Sequence, residues 1–495
     1  MTFQRLLEGA EVLSQQGDPV ITGLDYDSRR VQPGYVFVAM RGETTDGNRF
    51  IDKAIAAGAV AVVSDSPSET PRPNVAWAEV PHGRRALARL SANFYKRPAE
   101  KLQITGITGT NGKTTTTFII ESILKAAGRK SVLVGTVEYH VAGEVIPAPH
   151  TTPESLELNQ MFNKAVGLGA TEGVMEVSSH ALVQQRVFGI PFDVAIFSNL
   201  TRDHLDYHKT MEDYFAAKRT LFEGCGTEPP RVVVTNIDDE YGRKLGDFAG
   251  KRSTEVFSYG LAQGCFRAEK LDISSAGNRF DLVTPAGVVP LFSAMRGRVN
   301  VYNVLAGSAA AYARGCSLDE IARGVGALVR VPGRFESVDE GQPFSVIVDY
   351  AHTDDALKNL TMLAREFVAK SGGHVVTVFG CGGDRDRAKR PLMGEAAGKG
   401  SDLVVLTSDN PRSEDPLSII NDALPGLQRT NTKYVLEPDR RRAIAMALSD
   451  AQAGDIVIIA GKGHERTQTT REGVFPFDDF EVAREELNKL GYQKS

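Results

Sequence analysis

Short apolar runs recur along this chain, separated by stretches in which apolar residues return every three or four positions. Near the start, the runs at 35–39 (YVFVA) and 59–63 (AVAVV) predict strands, and 51–57 predicts a helix between them. Arg97-Pro98 breaks the pattern, so a boundary is expected near residue 100. Beyond it, 102–105 predicts a strand and 115–127 (TTTFIIESILKAA) a helix. Further strands are expected at 131–134, 173–177, 193–197 and 231–235, with helical spacing between several of them. Such alternation implies a mainly parallel sheet covered by helices. Val331-Pro332-Gly333 interrupts the pattern again, and a new set of strands is expected at 344–348, 374–379, 402–406, 433–436 and 455–460. The fold class read from this is α/β in three domains. A small N-terminal α/β domain spans 1–100, a central P-loop ATPase-like parallel sheet with helices spans 101–332, and a Rossmann-like α/β domain spans 333–495.

Composition narrows the class. A length of 495 residues exceeds the span of one ordinary core, about 250–300 residues. Hydrophobic content of 42% beside 24% charged residues is that of a soluble globular protein. A net charge of −5 argues against a nucleic-acid coat and leaves room for a local basic pocket. Cys225, Cys265, Cys316 and Cys381 lie far apart without a CxxC pair, which suggests neither a zinc knuckle nor a disulfide framework and fits a reducing cytoplasm. The first residues, MTFQRLLEGAEVLSQQ, lack a signal-peptide pattern, and no run approaches the ~18 apolar residues of a membrane span. A cytoplasmic protein that binds neither nucleic acid nor membrane is expected.

The strongest local chemistry is Gly106-Ile107-Thr108-Gly109-Thr110-Asn111-Gly112-Lys113-Thr114, read as a loop between strand and helix. Glycines let backbone N–H groups converge on phosphate oxygens. Lys113 supplies a point charge, and the Thr114 hydroxyl can bind Mg²⁺ at the positive end of the helix. The segment departs from the general phosphate loop, because Ile107 stands where a glycine is usual and the glycines fall at 106, 109 and 112. ATP or GTP suits it.

Other polar clusters fall at the carboxyl ends of the expected strands, where open α/β sheets bind ligands. Glu176 ends one run and reads equally as a Mg²⁺ carboxylate or a capping acid. His204, in SNLTRDHLD, reads as a metal ligand or as a locally hydrogen-bonded ring, and Lys218 sits on a helix where most lysines face water. In the third domain, Gly380–Arg387 (GCGGDRDR), Asp409–Pro416 (DNPRSEDP) and Gly461–Glu465 (GKGHE) each follow a strand. Each alone could be an ordinary turn, and together they outline one substrate pocket.

The ordered set GITGTNGKTT, HTTPES, MEVSSHALVQQRV, SNLTRDHLDYH, RVNVYNVLA, VPGRFE, VDYAHT, GGDRDRAKRP, DNPRSEDP and GKGHE resembles the Mur ligases, among them the members that add the third amino acid of the peptidoglycan stem. The resemblance spans essentially the whole chain. It implies ATP-dependent amide formation on the D-glutamate side chain of UDP-N-acetylmuramoyl-L-alanyl-D-glutamate, through an acyl phosphate; a monomer is expected. Carried over by motif, Gly109, Thr110, Asn111, Gly112, Lys113, Thr114, Thr115, Asn303, Arg334 and Asp349 would hold ATP. Thr114, Glu176, His204 and Lys218 would hold Mg²⁺, the lysine as its CO₂-derived carbamate, and Lys113, Glu176, His204 and Lys218 would serve catalysis. Ser28, Thr151, Thr152, Ser178, Gln184 and Arg186 fall on UDP-muramyl-dipeptide positions, with a weaker match at Glu43-Thr44-Thr45. Asp354 stands where the family pattern has proline, with an effect expected only on the local turn.

For the amine, the resemblance brings in Arg385, Asp409, Asn410, Pro411, Arg412, Gly461 and Glu465 as meso-diaminopimelate contacts. Diaminopimelate carries a distal carboxylate that L-lysine lacks, and Arg412 is the cation expected to select it. L-lysine addition and a folylpolyglutamate-synthetase-like ligase are the alternatives. A nucleotide switch without ligase chemistry would have no need of Glu176, His204 and Lys218 together.

Overall fold

The structure is a computed structural model that describes residues 1–494 except 44, 68–73, 253 and 275, and excludes the side chains of 370 and 371. Thr44 therefore lies outside the described residues. Three α/β layers follow one another along the chain. The first sheet runs Ser14–Gln16, Ala76–Glu79, Ala61–Ser64, Tyr35–Ala39, Gly23–Asp25, parallel except for its first strand.

The central sheet runs Glu255–Tyr259, Val232–Asn236, Phe192–Phe197, Gln103–Thr108, Glu172–Glu176, Ser131–Val134, then the antiparallel hairpin Glu138–Val141 and Glu144–Pro147. Inner strands such as Ser131–Val134 and Val232–Asn236 read as apolar runs because both faces are covered. Met175 and Ala195 enter one core, and their neighbours Val174 and Ile196 enter the other. The second core also receives the helices Lys113–Ala126, Arg298–Ala313 and Leu318–Ala327.

The third sheet runs Glu336–Val338, Ser345–Asp349, Ile456–Ala460, Val375–Phe379, Leu403–Leu406, Lys433–Leu436. All but the first strand are parallel. The sheet's own last strand in chain order, Ile456–Ala460, thus lies between two much earlier ones.

Two expectations change. The nine-residue loop is mostly regular structure: Gln103–Thr108 is strand and Lys113–Ala126 is helix, which leaves 109–112 as the turn. Gly106 stays in the ladder, opposite both Met175 and Ala195. A three-stranded antiparallel sheet, Arg267–Ser274, Gly277–Thr284 and Gly287–Ser293, was not expected from the sequence. Asp354, by contrast, is the first residue of the helix Asp354–Ser371, capped by the Thr353 side chain; a proline is tolerated at that position.

Candidate active site

The turn after Gln103–Thr108 is built by backbone geometry that glycine permits. Gly109 and Gly112 have φ of +143° and +87°. A Cβ at Gly109 would lie 1.9 Å from Ser198 Oγ, and one at Gly112 would lie 2.4 Å from Asn303 Oδ1. The turn is therefore a tight cradle opening on the N-terminus of a 14-residue helix. Lys113 Nζ donates to the Gly109 and Thr110 carbonyls at 3.0 and 2.8 Å.

A cavity of about 310 Å³ opens from this cradle. Thr110, Asn111, Gly112, Lys113, Thr114, Thr115, Glu176, His204, Asn303, Arg334 and Asp349 all line it, as do Thr151 and Ser178. The third domain closes over the cradle. Arg334 donates to Thr114 Oγ1 at 3.0 Å while its guanidinium lies over the Tyr350 ring, and Asn111 Nδ2 donates to Asp355 at 3.0 Å. The Asp349 carboxylate accepts the Phe335 and Ala351 N–H groups, and burial raises its pKa.

Glu176, at the end of its strand, is fully buried and accepts both the Thr136 N–H (2.8 Å) and the Thr136 hydroxyl (2.9 Å). His204 has a left-handed backbone, φ +54°, and its Nε2 lies 3.3 Å from Asp203. Desolvation lowers its pKa against the opposing charge of Asp203, which favours the neutral ring that binds metals.

Lys218 is the site's largest departure from a surface reading. Its side chain is 1% exposed, lies over the Tyr214 ring and donates to the Gly109 carbonyl at 2.8 Å, beneath the cradle. Burial, reinforced by the Lys113 charge, holds its pKa well below the usual lysine range.

The muramyl-dipeptide set is partly assembled. Thr152 donates to the Glu176 carbonyl, and Arg186 donates to the Thr152 carbonyl and to Gln184. Gln184 and Tyr207 donate to Glu43 at 2.9 and 2.6 Å, which joins the first domain to the central one. Ser28 lies in the first domain, and among the described residues no hydrogen bond joins it to this group. The amino-acid loops form a second cluster at strand ends of the third sheet. Arg385 and Arg412 both approach Gly382, Arg412 Nη1 donates to the Gly383 carbonyl at 2.7 Å, and neither arginine makes an ion pair among the described residues. Burial and the neighbouring Arg385 lower the Arg412 pKa, against the opposing charges of Asp409, Glu465 and Asp384. Asn410 Nδ2 donates to Glu465 at 2.7 Å, and buried Lys462 donates to both residues.

Sequence reasoning did not single out Thr136, Asp203 or Lys462. Asp203 lies beside His204 and faces His352 and Lys389 of the third domain, and Thr136 follows the strand Ser131–Val134. Position at a strand's carboxyl end was the available signal for Thr136.

Three family models match in order: "Mur ligase family, catalytic domain" at 20–95, "Mur ligase middle domain" at 107–311 and "Mur ligase, glutamate ligase domain" at 333–463. The chain is 53% identical to the UDP-N-acetylmuramoyl-L-alanyl-D-glutamate--2,6-diaminopimelate ligase of Solibacter usitatus, over 96% of this chain and 95% of the relative. It is 46% identical to the ligase of that name from Geobacillus thermodenitrificans, over 94% and 95%. A solved structure of a ligase of the same name, 33% identical, covers 100% of both chains with a TM-score of 0.69. The site is that of an ATP-dependent amide-forming ligase. The chain belongs to the Mur ligase family.

Proposed function

We propose that this chain joins meso-diaminopimelate to the D-glutamate side-chain carboxylate of UDP-N-acetylmuramoyl-L-alanyl-D-glutamate, acting as a cytoplasmic monomer in peptidoglycan synthesis. Relatives of that name match over nearly the whole chain. The observation that carries the chemistry is one cavity shared by the phosphate cradle, Glu176, His204 and, from the third domain, Arg334 and Asp349. In this reading residues 1–100 receive the UDP-muramyl end, 101–332 bind ATP, and 333–495 present the amine.

A carboxylate is a poor electrophile because oxide is a poor leaving group. Its oxygen therefore attacks the γ-phosphorus, ADP departs, and the resulting acyl phosphate is attacked by the amine through a tetrahedral intermediate that expels phosphate. The cradle N–H groups, Lys113 and Arg334 hold and screen the phosphates. Arg186 and Thr152 orient the dipeptide, and Arg412 with Arg385 grips the distal carboxylate of diaminopimelate.

Mg²⁺ fits the donors present. Among the described residues no three His, Cys, Asp or Glu side chains form a metal cluster, but Mg²⁺ needs only one or two protein carboxylates beside phosphate oxygens and water. Thr114, Glu176 and His204 would hold it, with Lys218 as a carbamate, since the bare ammonium is a donor only. Bound there, it would screen the repulsion between carboxylate and ATP.

Purified protein given ATP, Mg²⁺, diaminopimelate and the UDP-linked dipeptide should release phosphate only when all are present. The product mass should rise by one diaminopimelate residue. Product with lysine or a folate alone would overturn the reading, and phosphate release independent of both acceptors would favour a nucleotide switch.

A further inference from the structure

We propose that Arg440 is a positioning residue for the acceptor amino acid, fixing from inside the third domain the separation of the two loops that form its pocket. The inference rests on the diaminopimelate reading of those loops. Arg440 opens the helix Arg440–Asp450 and is 1% exposed. Its Nε and Nη2 donate to the two carboxylate oxygens of Asp479 at 2.7 and 2.6 Å. The remaining donors reach two main-chain carbonyls, Ser408 at 3.2 Å and Ala460 at 3.0 Å.

Those carbonyls are not arbitrary. Ser408 immediately precedes Asp409-Asn410-Pro411-Arg412, and Ala460 immediately precedes Gly461. Their strands, Leu403–Leu406 and Ile456–Ala460, lie on opposite sides of Val375–Phe379 and share no ladder bond. Arg440 therefore bonds across an intervening strand to the two backbones that must meet above it. They meet closely: a Cβ on Gly461 would lie 2.6 Å from Asp409 Oδ2, and Asn410 and Glu465 are joined side chain to side chain. A small change in loop separation would break that contact and move Arg412, which follows Asn410 by two residues.

Only arginine has a rigid fork able to hold a carboxylate on one edge and two carbonyls on the other. A buried ion pair is a weak source of stability compared with apolar residues of equal volume, so what this one distinctively supplies is geometry. Arg334 hangs from the chain before the strand Ser345–Asp349 and makes no bond to Arg440, so ATP binding should be spared.

Two variants test this. Arg440→Lys keeps the charge and the Asp479 partner but loses the fork. The double variant Arg440→Met/Asp479→Leu removes both charges, so that no unpaired charge is buried. KM for diaminopimelate is measured against KM for ATP, with Tm as the check on folding. Both variants should raise KM for diaminopimelate about 10-fold or more while leaving KM for ATP within about 2-fold. An unchanged KM for diaminopimelate in either folded variant, or an equal rise for both substrates, overturns the proposal. If neither variant folds, Arg440 serves the fold and the proposal also fails. Wild-type protein that does not use diaminopimelate would instead refute the function proposed above.

Discussion

Lys218 shows how far a residue's chemistry depends on what covers it. A neutral amine, not an ammonium, adds CO₂, and burial beneath the cradle with Lys113 nearby favours the neutral form. Protein equilibrated with ¹³C-bicarbonate should give a carbamate resonance that is absent from Lys218→Ala. That variant should lose activity by about 100-fold or more, without rescue by added bicarbonate. Arg412→Ala should raise KM for diaminopimelate by about 30-fold or more, corresponding to a loss of about 2 kcal/mol or more, and leave ATP binding unchanged by calorimetry. The position of Arg412 in a loop after a strand was legible, and its expected role came from the resemblance of the DNPR motif. Lys218 by itself was not, since its bond to Gly109 spans 109 positions and nothing in its neighbours announces burial.

At the scale of elements, the cradle works through backbone conformation. Gly112→Ala should weaken ATP binding by about 1–2 kcal/mol in calorimetry, because the new Cβ meets Asn303 and the positive φ disfavours an L side chain. The edge hairpin carries a separate device. Burial alone would lower the His140 pKa, but hydrogen bonds and charge from Glu121 and Glu138 outweigh it and raise the value to about 9. A folded value above the ordinary 6.5 means the stabilisation is complete below pH 6.5 and is lost as pH rises through 9. Thermal unfolding should accordingly show a wild-type advantage over His140→Phe that shrinks by on the order of 2 kcal/mol across that window.

Elements buried on both faces were readable because their apolar runs are unbroken, as at Ile456–Ala460. The antiparallel sheet at 267–293 was not, because a strand such as Arg267–Ser274 is mostly half-exposed and polar. The loop that proved to be strand and helix misled for a local reason. Its glycines suggest a turn throughout, whereas Gly106 is required in the ladder by the Phe192 ring, which would lie 2.6 Å from a Cβ there.

For the whole molecule, the three-layer order was legible from alternating patterns, but the joints between layers were not. Asn111 to Asp355 and Glu43 to Gln184 connect residues whose own segments give no hint of meeting. The Glu43 contacts are solvent-exposed and individually weak, and the joint to the first domain also carries the Arg84–Glu154 ion pair at 2.7 Å, the Tyr26–Glu157 hydrogen bond at 3.0 Å and Leu156, which is buried in the first domain's core.

The strand order of the third sheet also bears on how the protein is made. Ile456–Ala460 separates Ser345–Asp349 from Val375–Phe379, so a nascent chain that stops short of residue 456 has two apolar strand edges with nothing between them. Synthesis from the N-terminus can complete the ATP-binding layer well before this sheet closes. Chains arrested on the ribosome before residue 456 should leave 333–455 sensitive to protease while the central domain resists it. The order of synthesis therefore leaves the third sheet unable to close until the strand Ile456–Ala460 has emerged, long after the central sheet is complete.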